Sequence, residues 1–127
     1  MDMGKVVFGF FVLLALTLNF GFFLGDIDNP DHHNVYELFA ALVVGLIATV
    51  MKFGERSQMG AVLLASSLVV DLQLIAAAIV WAVAVHMTDD GLTPMVMASI
   101  VSLSGGALLA NLLSVVLLTL ETAGLSR

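Results

Sequence analysis

The chain has no cysteine, only two prolines, and only four Lys or Arg residues in 127. Without cysteine there are no disulfides, no thiol nucleophiles and no Cys-metal sites. Charge of either sign is scarce. Charged residues make up 11% of the sequence, against about 25% in an ordinary soluble domain. Ten Asp and Glu outweigh the four Lys and Arg, for a formal net charge of −6. No basic face is available for phosphates, so nucleic acid is excluded as a partner. What remains is apolar, at 61% of residues. A small water-soluble domain leaves a large share of its surface exposed and has no room to hide that much apolar area. A soluble enzyme and a disordered chain are therefore excluded. Neither catalytic residues nor a cofactor are expected, and the partner to expect is the lipid bilayer.

The apolar residues fall into four runs, about 4–24, 35–52, 59–86 and 94–120. Each is close to or above the roughly 20 residues that a helix needs to cross a bilayer. Backbone groups in lipid must be satisfied within their own segment, which makes the runs helices. The expected fold is an all-α, antiparallel bundle of four transmembrane helices forming a single domain over 1–127. Local signals mark the ends. Gly25 reads as the residue after a helix C-terminus, and Gly54 falls just past the second span. Asn34 and Glu37 have the spacing of a cap and its reciprocal partner. Thr93 before Pro94 reads as a cap followed by a first-turn proline. Residues 25–33 read as a polar loop.

Lys5, Lys52, Arg56 and Arg127 all fall on one side of a four-span arrangement, with Lys52 and Arg56 in the second loop. Positive residues mark the cytoplasmic side, so both termini are expected there. The N-terminal run is too long for a signal-peptide core and has bulky Phe22, Phe23 and Leu24 where small cleavage residues belong. It is read as the first span.

The opposite side carries Asp26, Asp28, Asp31, Asp89 and Asp90, with Glu37 where the second helix begins and His32, His33 and His86 nearby. Such a face concentrates cations, or simply keeps short loops hydrated. His33 and Glu37 would share a helix face if the second helix began early. Imidazole with carboxylates suits a transition metal, yet the spacing matches no strong metal motif, and the metal question stays open.

Asp71 is the sharpest feature, a carboxylate near the middle of the third span. At the bilayer centre this costs about 2.5–3.5 kcal/mol, so the side chain must face protein or water. It is either an ion or proton site or a group that ties helices together. Ser67 lies one turn before it on the same face, while Gln73 points nearly the opposite way. Asn19 in the first span and Asn111 in the fourth are further intramembrane polar groups, and they complete the expected ion pathway. Small residues recur every four positions at Ala98, Ser102, Gly106, Ala110 and Ser114, and at Ala41, Gly45 and Thr49. Such stripes let helix backbones approach closely, within one chain or between copies. Ser104-Gly105-Gly106 is a place where the fourth helix could loosen.

The run Leu16-Thr17-Leu18-Asn19-Phe20-Gly21-Phe22-Phe23, with Asp28-Asn29-Pro30 and His32 through Phe39, resembles a family of small four-span bacterial inner-membrane proteins of unknown function. The likeness extends over the first three spans, through Leu46–Val50 and Asp71–Ile75. It implies the company of potassium-transport components and assigns no residue a role. Two functions compete on this reading, ahead of a membrane enzyme, for which the only polar cluster lies at the outer mouth and has no evident nucleophile. One is cation conduction or transport by a homo-oligomer, with Asp71 and Asn19 or Asn111 lining a path between subunits. The other is a non-conducting accessory subunit of a larger transporter.

Overall fold

A computed structural model describes residues 3–53 and 57–123. Gly54, Arg56 and Arg127, which the sequence reading uses as a helix end and as markers of sidedness, lie outside the described residues. Four helices account for nearly all the rest: α1 (Met3–Phe23), α2 (Val35–Lys52), α3 (Gln58–Met87) and α4 (Pro94–Thr122). All four are long and apolar enough to cross a membrane, and among the described residues there is no strand. The helix ends match the signals in the sequence. Asn34 accepts from the Tyr36 N–H and Thr93 from the Val96 N–H. Gly25 has φ +100.

Each helix packs against its two neighbours in the order α1, α2, α3, α4 and back to α1. Contacts along the axes show that neighbours run antiparallel. Phe8 meets Lys52 while Gly21 meets Glu37. Gly9 meets Leu118 while Gly105 meets Phe23. Gln73 meets Gly106 while Ser66 meets Ser114. Two apolar clusters fill the interior. One is built on Phe22, Leu38, Leu74, Met97 and Ile100, and the smaller on Phe8, Val12 and Ala48. The outside is also apolar. Leu72 is 68% exposed, whereas its sequence neighbour Asp71 is 4% exposed. A helix set with apolar residues outward and polar ones inward is built for lipid, where burial of apolar surface no longer drives helices together and close packing must.

Several details differ from expectation. Residues Pro30–His32 form a turn of 3-10 helix with Asn29 as its cap, inside what reads as a plain loop. Glu37 does not reach back to the Asn34 cap but lies across from Gly21 on α1. Lys52 is not in the second loop. It closes α2, is buried, and sits 4.6 Å from the centre of the Phe8 ring. Helix α4 runs unbroken through Ser104-Gly105-Gly106. The two glycines make room for Phe23 and Gln73 rather than loosening the helix.

The loop after α1 depends on Gly25. Its φ lies in the region that favours glycine, and an added Cβ would stand 2.6 Å from the His32 Cβ. Gly25→Ala is expected to lower the stability of the folded bundle by about 1–3 kcal/mol, the usual cost of a strained backbone position. Unfolding of detergent-solubilised protein by SDS measures it, and an unchanged midpoint would contradict the assignment.

Candidate functional site

The buried face of α3 repeats at three- and four-residue steps through Leu63, Ser67, Val70, Asp71, Leu74 and Ala78. That periodicity turns Asp71 toward the bundle interior. Across from it, α2 presents Ala41, Gly45, Ala48 and Thr49, all buried. Gly45 brings the α2 backbone close, and a Cβ there would lie 3.0 Å from Asp71 Oδ1. The Thr49 hydroxyl lies 2.5 Å from Asp71 Oδ2 and donates to it. The same hydroxyl is 2.9 Å from the Gly45 carbonyl oxygen.

Asp71 Oδ1 and Asn111 Nδ2 are both buried with no hydrogen-bond partner. Both residues line one small cavity among the four helices, together with Ser67, Ser114, Val12, Ala15, Gly45, Ala48 and Val70. Its volume is about 10 Å³, the space of about one water molecule. Ser114 is bonded at 2.6 Å to Ser66, which also donates to the Leu63 carbonyl.

Asn19 belongs to a separate contact. It is fully buried and accepts a hydrogen bond from Ser104 at 2.5 Å. It therefore ties α1 to α4 and does not line the cavity. Ser104→Ala would strand both ends of that amide. The expected loss is about 1–2 kcal/mol, in the range of interhelical hydrogen bonds in membranes, read from the same SDS unfolding. Gln73 faces Gly106 on α4, away from the cavity. The expected polar set thus splits. Asp71, Asn111 and Ser67 come together, while Asn19 and Gln73 lie elsewhere. All turn inward, so a path between subunits would not run past Asp71, Asn19 or Asn111.

The α4 stripe is likewise divided between environments. Ser102 is exposed, Ala98, Gly106 and Ala110 are half-buried, and Ser114 alone is buried. The buried face runs instead through Met97, Ile100, Val101, Ser104, Ala107, Asn111 and Ser114. A step of four residues overshoots one helical turn of 3.6, so a stripe at that spacing winds around the helix. The Ala41, Gly45 and Thr49 stripe is shorter and stays on the buried face of α2.

The acidic and histidine residues do not converge. Asp26, Asp28, Asp31, Asp89, Asp90 and His86 are exposed. His32 Nδ1 accepts from the Asp26 N–H at 2.8 Å. His33 is 4% exposed, precedes α2 in extended backbone, and so shares no helix face with Glu37. Its Nδ1 lies 2.5 Å from the Phe22 carbonyl oxygen and its Nε2 lies 2.7 Å from that of Asp26. With both ring nitrogens turned to backbone carbonyls, His33 clamps the loop to the end of α1 and points neither nitrogen into open space. Among the described residues no three His, Cys, Asp or Glu side chains are grouped to hold one. At the other end of the bundle Lys5, Lys52 and Glu121 share a pocket of about 390 Å³.

Sequence reasoning missed Thr49 as the partner of Asp71. The signal was a hydroxyl on the small-residue face of the helix next to a buried carboxylate. Ser66 and Ser104 were missed as bonding partners because serine also serves as a small packing residue.

The chain belongs to a family of unknown function (DUF6394), which matches residues 32–122. The match begins within the 3-10 turn and covers α2, α3 and nearly all of α4, including Thr49, Asp71 and Asn111. No curated protein and no solved structure matches the chain.

Proposed function

We propose that this member of the family is an ion-transport component of a membrane, and that Asp71 is its working group. The observation that carries the reading is the geometry at Asp71. The carboxylate is buried at 4% exposure, one oxygen is held by Thr49, the other has no partner, and the residue lines a small, mostly apolar cavity. A charge in such a place is costly and is kept for use. The ends of the bundle support a direction. Lys5 and Lys52 share one end, and the positive-inside rule makes that end cytoplasmic. The exposed Asp26, Asp28, Asp31, Asp89 and Asp90 occupy the other end and would gather cations there. The membrane in question is the bacterial inner membrane, with both termini inside. No reaction is catalysed. Several copies acting together remain part of this reading, each holding its own site. The test is flux. Purified protein in liposomes should dissipate an imposed gradient of protons, Na⁺ or K⁺, and folded protein that dissipates none of them would refute the proposal.

A second reading is a non-conducting subunit of a larger transporter, potassium among its candidates. An apolar groove of about 310 Å³ between α1 and α4, lined by Leu16, Thr17, Phe20, Leu108 and Leu112, favours it. A groove of this kind accepts a lipid chain or a partner helix. Purification from native membranes in mild detergent decides, since an accessory subunit comes out with its partner.

A further inference from the structure

The Asp71 cavity is specific enough to name the ion. We infer that its ligand is a proton, bound by Asp71 and exchanged through one water held between Asp71 Oδ1 and Asn111 Nδ2. This rests on the transport reading and says what is carried.

The first argument is size. About 10 Å³ accommodates one water. A metal cation must exchange its hydration shell for a ring of oxygen ligands. The side chains of the wall offer two carboxylate oxygens, one already held by Thr49, the Asn111 amide and two serine hydroxyls, of which Ser114 is already bonded to Ser66. The second argument is complementarity. An acceptor without a donor and a donor without an acceptor belong to two residues that line the same one-water space. A water satisfies both, donating to Asp71 Oδ1 and accepting from Asn111. A cation would meet the amide hydrogens with the wrong sign.

The third argument is that the cluster accepts both charge states. The Thr49 hydroxyl has one hydrogen and two oxygens in reach, Asp71 Oδ2 and the Gly45 carbonyl. With Asp71 charged, Thr49 donates to Oδ2 and the water donates to Oδ1. When a proton is delivered to the far side of that water, one O–H bond forms there as the O–H bond toward Asp71 breaks and a new one forms at Oδ1, so the water never holds the charge. The products are a neutral carboxyl and a neutral water, with no change of oxidation state. The new O–H then donates back to the water. Among the described residues, no other titratable group lines the Asp71 cavity. Among the residues lining the cavity, α1 contributes Val12 and Ala15, α2 contributes Gly45 and Ala48, and α4 contributes Asn111 and Ser114. Lys52, three residues beyond Thr49, is directed over the Phe8 ring. Phe8 lines the pocket at that end of the bundle and Val12 lines the cavity. One turn of α1, about 6 Å, separates them, and the apolar cluster of Phe8, Val12 and Ala48 closes the cavity off from that end.

Infrared difference spectroscopy of the protein in liposomes tests this through the C=O stretch of the protonated carboxyl. A band lost in Asp71→Asn should grow as the pH is lowered. At fixed pH it should be the same in choline, Na⁺ and K⁺ chloride. A band that shrinks when choline is replaced by Na⁺ or K⁺ overturns the inference and leaves the transport reading standing. Absence of any pH-dependent band assigned to Asp71 also overturns it. A titrating band in protein that carries no flux keeps the proton site and removes the transport reading. If Asp71→Asn does not fold, Thr49→Val identifies the band, because losing that hydrogen bond moves it to higher frequency, and a band indifferent to Thr49→Val is not from Asp71.

Discussion

Asp71→Asn is expected to reduce ion flux in liposomes by at least about tenfold, equivalent to about 1.4 kcal/mol, while the bundle stays as stable as before or becomes more stable. The two effects have separate causes. Asparagine matches aspartate in shape, and its amide oxygen can accept the Thr49 hydrogen bond that now ends on Oδ2. It carries no charge, so the desolvation cost of a carboxylate inside the bundle disappears. Replacing a buried charge by a neutral group of similar volume is often neutral or stabilising. It also cannot bind or release a proton, so a site that works through charge stops working. A merely structural Asp71 predicts the reverse pattern, with flux unchanged and stability lowered. Measuring flux and SDS unfolding on the same preparation separates the two, and wild-type flux from folded Asp71→Asn protein would assign Asp71 to helix packing.

Phe22→Ala is expected to cost about 3–5 kcal/mol, the usual range for removing a fully buried phenylalanine. Phe22 is 0% exposed in the larger apolar cluster. Its ring meets His33 at 5.5 Å between centroids and Trp81 at 6.1 Å. Its carbonyl oxygen accepts from His33 Nδ1. The substitution therefore removes core packing and weakens the clamp that holds the loop to α1. Trp81 is the only tryptophan in the sequence, so its fluorescence reports the change directly. A red shift with faster hydrogen exchange in residues 24–34 is the expected result, and an unchanged emission maximum would show that the ring does not support Trp81.

The spans were legible because lipid imposes one simple requirement on backbone polar groups. All four helices fall within a residue or two of the apolar runs, and the caps at Asn34 and Thr93 follow rules of local hydrogen bonding. The same rule was available at Asn29-Pro30, a cap followed by a first-turn proline, and it marks the 3-10 turn that reads otherwise as loop. Side-chain partnerships across helices were less legible. Asp71 stands out by itself in an apolar run, yet Thr49 and Asn111 join it only through the register of α2 and α4 against α3, which no local pattern encodes. His33 is the opposite case. A histidine among acidic residues suggests a ligand, but its ring is consumed by two backbone carbonyls that only the folded loop brings together. The stripe in α4 spreads over buried and exposed positions for a geometric reason, since its period of four does not match the turn of the helix.

The polar interior has one more consequence, for stoichiometry. Thr49, Asp71 and Asn111 all come from one chain and meet inside one four-helix bundle. On the proposed proton site, each chain would be a complete titrating unit, however many copies assemble. Occupancy should follow a simple curve with a Hill coefficient of about 1, because no second site is coupled to it. Diluting the protein in lipid until copies no longer meet should leave that curve in place.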